Sequence, residues 1–384
     1  MVSYAWHTLY IWNKSNIKLI TDKMKKLDKL ILITSLGVAF TTGLNSCKKV
    51  DSPTIQNSNS AGADYTNGAL IVNEGTFGAG NGSISFYNYS SSNVFNNVFQ
   101  TVNHRPLGDV VQSVYRAYGN TYICVNVSNK VEVVNSTNFK ELNTFTVSQP
   151  RYMTSDGGST GYVSSWGNGG EINVIDLVGN IVLNTIPVGS GPEGMVFKNG
   201  NLYVSNSGGF GTDSTVSVIS GGSVIATIDI EAYNPSSIVS GNNDNIWVLA
   251  KGKVIYDANW NIIGHEPSKV IEISTLTNTI ISNTLLLAEA HPSSIHISDD
   301  GNTLYFGGSY GFPGIYTMSV TNPSTPSSLF INESNYGFFI TPSNDHIFIL
   351  KEASTSNGKL IIYNAGGNKL SEQKVGIFPN GGSS

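Results

Sequence analysis

GPEGMVFKNGNLYVSN (residues 191–206) packs a proline-bearing turn, a short apolar strand, an Asn-Gly turn and a second strand into sixteen residues. The same order recurs in QPRYMTSDGGSTGYVSSWG (149–167), NPSSIVSGNNDNIWVLAKG (234–252) and HPSSIHISDDGNTLYFGG (291–308). Looser copies are LGDVVQSVYRAYGNTYICVN (107–126) and NYGFFITPSNDHIFILKE (335–352), and a truncated copy, FPNGGSS (378–384), ends the sequence. The anchor positions Leu107, Pro150, Pro192, Pro235, Pro292, Gly337 and Pro379 are spaced 43, 42, 43, 57, 45 and 42 residues apart. A period of roughly 40–50 residues with about four strands per repeat is the signature of a β-propeller. The prediction is an all-β, seven-bladed propeller with four-stranded antiparallel blades.

Third strands read from period-two alternation at Ile172–Ile175, Val216–Ile219, Val270–Ile273 and Leu360–Tyr363, and fourth strands at Asn184–Val188 and Ile225–Ile230. Ahead of Leu107 three strands are expected, at Ala69–Asn73, Ser83–Asn88 and Val98–Val102. The missing inner strand is supplied by Ile377–Asn380, which closes the ring and removes the free edge between first and last blades.

Composition fits this fold. Only 12% of the 384 residues are charged, and 41 are glycine. No basic tract or heptad run is present, so nucleic acid is not an expected partner.

The first residues read as targeting sequence. Lys25, Lys26 and Lys29 precede an apolar run from Leu30 to Phe40, followed by Leu44-Asn45-Ser46-Cys47. That run is short for a membrane span and suits a signal-peptide core. The Leu-Asn-Ser-Cys ending resembles the bacterial lipobox, which implies lipidation of Cys47 after cleavage. The expected organisation is a signal region 1–46, with residues 1–23 upstream of a start at Met24 and the lipoprotein signal at 24–46. A flexible Ser/Asn-rich tether follows at 47–67, then the propeller at 68–384. Cleavage removes six of the 21 Lys/Arg and two of the 26 Asp/Glu, leaving an acidic domain of net charge −9. Cys124 then stands alone in an apolar strand, as an inert core residue.

Motif matches without their context carry no chemistry here. Gly189 to Gly194 fits G-x-G-x-x-G, but a strand is expected after it where a dinucleotide site needs a helix. The histidines lack metal-ligand spacing: His291 and His296 fall on opposite faces of their segment, and no metal or cofactor is expected. Glu74, Asp109 and Glu193 read as solvated loop acids rather than catalysts. A propeller hydrolase or lyase requires acids or histidines clustered on the central axis, and the expectation is a protein that is not an enzyme.

Turns leading into each blade share one face with the loops between second and third strands. Those segments hold Glu74 and Phe77, Gln112, Arg151 and Tyr152, Trp166 and Asn168, Glu193, Asn206 and Phe210, His291, Tyr310 and Phe312, and Tyr336. Aromatics interspersed with amides suit a flat ligand of mixed polarity. The alternative, packing between blades or plugging of the channel, applies most to Tyr152, Tyr336 and Phe338, and less to the glycine-flanked Trp166, Phe210 and Phe312. The overlong fifth interval contains an insertion, Lys251 to Ser268, with Tyr256, Trp260 and His265, placed to cover the same face.

VNEGTFGAGNGSISFYN (72–88), LGDVVQSV (107–114), SQPRYM (148–153) and VGIFPN (375–380) together resemble the YncE-like, surface-layer-protein-like propellers of Gram-negative envelopes. The resemblance covers roughly residues 68–380. It implies an outer-membrane lipoprotein displayed at the cell surface, similar to those that capture cobalamin (vitamin B12) and pass it to a TonB-dependent transporter. Siderophore binders belong to related loci. A surface-layer propeller that binds glycan or protein partners remains the alternative at this point.

Overall fold

Strand β1 (Gly68–Asn73) shows why the chain closes into a ring: all six of its residues are buried, yet they serve two different cores. Leu70 and Val72 pack with Val111, Ile123 and Val125 on one side, while Ala69 and Ile71 pack with Phe339, Phe348 and Leu350 on the other. A strand alternates its side chains between faces, so a strand apolar at every position must be sandwiched. The same division recurs next door, where Ile123 and Val125 face the first core and Tyr122 and Cys124 the following one.

The computed structural model describes residues 64–384 apart from 343, 354 and 355. The signal region 1–46, the lipidation site Cys47 and all but the last residues of the 47–67 tether lie outside the described residues.

Seven radial sheets are present. Blade 1 runs from its inner strand outward as Pro379–Ser383, Gly68–Asn73, Ser83–Asn88 and Val94–Phe95. Blades 2 to 7 follow in chain order and span 111–146, 150–187, 192–229, 235–287, 294–319 and 337–374. The architecture is the all-β seven-bladed propeller that the repeats predict, with antiparallel blades of four strands. Blade 6 has three, and an isolated bridge between Ile315 and Ile331 stands beside its third. Seven hydrophobic clusters fill the seven gaps between blades. The innermost strand of blade 1 comes from the C-terminus: Leu70 pairs with Ser383, Ile71 with Gly382 and Val72 with Gly381.

Two details correct the reading of the sequence. The expected strand at Val98–Val102 is a helix, α1 (Val98–Asn103), and the fourth strand of blade 1 is the two-residue Val94–Phe95. Val98, Phe99 and Val102 recur at helical rather than alternating spacing, and all three pack on the first core. Ordered packing also begins inside the expected tether. Tyr65 is buried edge-on against Phe86 at 5.2 Å, and its N–H donates to the Thr137 carbonyl at 2.9 Å.

Candidate functional site

A β-bulge stands at the same place in five blades. Opposite the end of the second strand the inner strand carries an extra residue: Asn380 in blade 1, Gln112 in blade 2 and Ser236 in blade 5. In blades 3 and 4 two residues, Arg151-Tyr152 and Glu193-Gly194, face one partner position. A bulge breaks the alternation of a strand and re-aims the side chain it carries. Because each bulge directly follows the turn on an innermost strand, the residues it presents collect at one mouth of the central channel.

They form a continuous hydrogen-bonded arc. Tyr336 Oη donates to Glu74 Oε2 at 3.0 Å, and Asn380 Nδ2 donates to Glu74 Oε1 at 2.8 Å and to the Gln112 carbonyl at 3.2 Å. Arg151 Nη1 donates to Gln112 Oε1 at 2.6 Å. Its Nε and Nη2 grip both oxygens of Glu193 at 3.0 and 2.9 Å, the two-point geometry that makes arginine–carboxylate pairs strong. The guanidinium also lies over the Trp166 ring, 4.3 Å from its centroid, and Phe210 meets that indole edge-on at 5.3 Å. Farther round, Ser236 Oγ donates to the Ser293 carbonyl at 3.0 Å.

Electrostatics at the mouth follow from crowding. Burial raises the Glu74 carboxyl above its usual range, although Asn380, Tyr336 and the Arg151 charge pull it down. Burial, then the negative Glu74, holds the Tyr336 phenol well above its ordinary value. Tyr152 is pushed up to about 12 by burial and by Glu193. Burial is the largest single influence on Arg151 and works to lower it, but Glu193, Tyr152 and Glu74 together outweigh it and the guanidinium is held more firmly protonated. Lys251, the residue after the second strand of blade 5, is lowered by burial and by Arg151 against the pull of Glu193.

The structure therefore brings Glu74, Gln112, Arg151, Tyr152, Glu193, Trp166 and Tyr336 together, joined by Phe210. Two of the three acids read as solvated are bound into the arc, since folding gives Glu74 and Glu193 partners more than 40 residues away in the chain. Asp109 accepts the Gly78 N–H at 2.8 Å in a neighbouring loop. Phe77, Phe210, Trp260 and Tyr310 stand on the same face, each about half or more exposed.

Other expected members are used within the scaffold. Asn206 is fully buried and donates to Thr215 Oγ1 and Ser217 Oγ at 3.0 Å each, clamping blade 4 from inside. Phe312 is only 4% exposed, edge-on to Tyr316 and bridged to Asn335, so its glycine neighbours do not free it for the mouth. Asn168 holds a turn by donating to Glu171 Oε2 at 3.1 Å. Phe338 is buried against His296 at 4.7 Å. Asn380, Lys251 and Ser236 were missed. The signal for all three was their offset within the repeat, one residue past the turn or past the second strand.

The insertion is a hairpin, Lys253–Tyr256 paired with Ile262–Glu266, with Trp260 at its tip. Its base is tied to the mouth by stacked histidines. His291 Nδ1 donates to the Lys251 carbonyl at 2.7 Å, and His265 Nδ1 lies 2.9 Å from His291 Nε2. Among the described residues no group of three His, Cys, Asp or Glu is placed to hold a metal ion.

A family model described as a domain of unknown function, DUF5074, matches residues 67–378, from the residue before β1 to the residue before the closing strand. The chain belongs to the DUF5074 family. No curated protein matches the sequence. Among solved structures, this DUF5074 chain is similar to a functionally unknown protein from Desulfotomaculum acetoxidans, with TM-score 0.57 and 14% identity over 82% of this chain and 98% of that one. It is also similar to Kuenenia stuttgartiensis hydrazine synthase, with TM-score 0.55 and 13% identity over 71% of this chain and 88% of that one. At such identity the likeness establishes the propeller fold alone.

Proposed function

We propose that this propeller captures a small ligand at its loop-rich mouth without transforming it, tethered to the outer membrane through Cys47 and handing its cargo to a TonB-dependent transporter. One observation carries the capture reading: a polar, hydrogen-bonded centre is surrounded on the same face by exposed Phe77, Phe210, Trp260 and Tyr310. Ring faces cover apolar area while the central amides and charges fix orientation. A broad macrocycle bearing amide arms fits that division, so a corrinoid is the leading ligand. The anchor, the surface location and the transporter rest on the resemblance to the cobalamin-capturing lipoproteins.

The test is a titration of the purified propeller with cyanocobalamin, followed by heat and by tryptophan fluorescence. Saturable quenching that weakens in Trp260→Ala and Phe210→Ala is expected. No heat and no quenching up to high micromolar ligand rejects the corrinoid. A siderophore or a glycan that binds in its place keeps capture and changes the cargo.

Glu74 and Glu193, two acids bound into the same arc at the mouth, support a second reading, a hydrolase or lyase that uses them. Chemical conversion of a bound ligand, lost in Glu74→Gln, marks that reading instead.

A further inference from the structure

The charges at the mouth are matched unevenly. Glu193 is held at both oxygens by Arg151, and Glu74 by Tyr336 and Asn380. Arg151 spends all three nitrogens on Glu193 and Gln112, and Trp166 covers its face. Those bonds and the ring fix the guanidinium in place, with one N–H left on each of Nη1 and Nη2. Lys251 differs: its carbonyl accepts from His291, but among the described residues no hydrogen bond or ion pair holds its ammonium. Its charge is near enough to Arg151 and Glu193 for each to shift its protonation.

Lys251 also occupies a telling place in the repeat. Asn73, Ser165 and Ala250 end the second strands of blades 1, 3 and 5, each opposite the turn proline. The next residues are Glu74, Trp166 and Lys251, so the ammonium shares the offset of two side chains already in the arc. Trp166 adds a second sign of an absent acceptor, because its indole N–H is buried without a partner. Lys251 is half-buried, and an ammonium there with no protein acceptor favours an anion that brings its own oxygens.

We propose that Lys251 is the anchor for an anionic group of the ligand, a carboxylate or a phosphate, and that it sets how the ligand is oriented over the mouth. The inference deepens the capture reading and rests on it for the ligand's size, but the anion site itself is testable alone. Glu193 is paired with Arg151 and Glu74 with the neutral Tyr336 and Asn380, so neither acid hydrogen-bonds the Lys251 ammonium. A ligand without such an acceptor leaves the ammonium without a hydrogen-bonding partner at the mouth.

The experiment uses the intact propeller with lysines reductively methylated with carbon-13, the Lys251 resonance being assigned from Lys251→Arg. Inorganic phosphate and acetate are titrated separately, and thermal unfolding is followed in parallel for wild type, Lys251→Met and Lys251→Arg. The expected result is a saturable shift of the Lys251 resonance with at least one anion. The apparent anion affinity, read in all three proteins from the anion-dependent rise in Tm, should fall at least about tenfold in Lys251→Met, the scale of one lost charged hydrogen bond, and largely persist in Lys251→Arg. Response to phosphate alone assigns a phosphate-bearing ligand, and response to acetate alone a carboxylate. No shift with either anion on the folded wild type overturns the proposal, whatever the variants do. Anion binding without cyanocobalamin binding rejects the corrinoid and keeps the anchor. Cyanocobalamin binding unchanged in Lys251→Met, with no anion response, keeps capture and rejects the anchor.

Discussion

Arg151 gathers four partners into one arrangement: both oxygens of Glu193, the Gln112 amide and the Trp166 ring. Its side chain is 16% exposed and that of Glu193 7%, so the pair is held largely out of water. Removing one member strands the other, and breaking a buried pair in this way costs roughly 3–5 kcal/mol. Glu193→Gln should therefore lower stability in urea unfolding by about that amount, while Arg151→Met combined with Glu193→Gln recovers part of it. A single variant as stable as wild type sinks the claim that the pair is matched by burial. Arg151 and Glu193 were legible as residues following a repeat turn. Their pairing was not, because 42 residues separate them and nothing local requires them to meet. Lys251 was hidden differently, reading as the first residue of an insertion when it is the last to keep the repeat's register.

Helix α1 and the blade 5 hairpin are the elements that depart from the repeat, and each departs for a local reason. The run from Val94 to Val102 is rich in β-branched and aromatic residues and reads as strand by propensity. Its apolar spacing and the burial available beside blade 2 override that preference. The hairpin needs Gly252, with φ at +69°, since a Cβ there would lie 2.2 Å from the Glu266 carbonyl oxygen. Its hold on the mouth is set by the state of two histidines. A carbonyl only accepts, so His291 Nδ1 carries the proton, its Nε2 accepts, and His265 donates from Nδ1. Burial first, then the neighbouring His265 and Lys251, lowers His291 from the ordinary 6.5. The neutral form belongs to the folded state. Its contribution is full above 6.5 and is lost as pH falls through the lowered value, where a proton on Nε2 would face the His265 N–H. Hydrogen-exchange protection across 253–266, corrected for the intrinsic pH dependence of amide exchange, should fall as pH drops below 6.5 and before the rest of blade 5 loosens. Protection that is flat with pH, or unchanged in His291→Gln, argues against the histidine tie.

Ring closure is where one position carries consequences for the entire fold. The inner strand of blade 7 passes so close to the C-terminal strand that a Cβ on Gly337 would fall 1.9 Å from the Asn380 carbonyl oxygen. A Cβ on Gly381 meets nothing within 4 Å. Gly337→Ala should cost roughly 1–3 kcal/mol by overpacking, seen as a lower Tm with faster exchange in Gly68–Asn73, whereas Gly381→Ala should leave both near wild type. Equal behaviour of the two variants removes close approach as the reason for glycine at Gly337. The period, the blade count, the supply of an inner strand by the last residues and the inert Cys124 were all readable along the chain, because turn chemistry and two-residue alternation are local and repeat in order. The mouth was readable only as a set of loops. Which loop residues meet, which serve the scaffold and which charge lacks a partner depend on bulges that re-aim side chains and on a closed ring that pairs Gly68–Asn73 with Pro379–Ser383. Glu74 and Asn380 stand 306 residues apart in the chain and 2.8 Å apart at the channel, a contact that no local pattern encodes and that closure enforces.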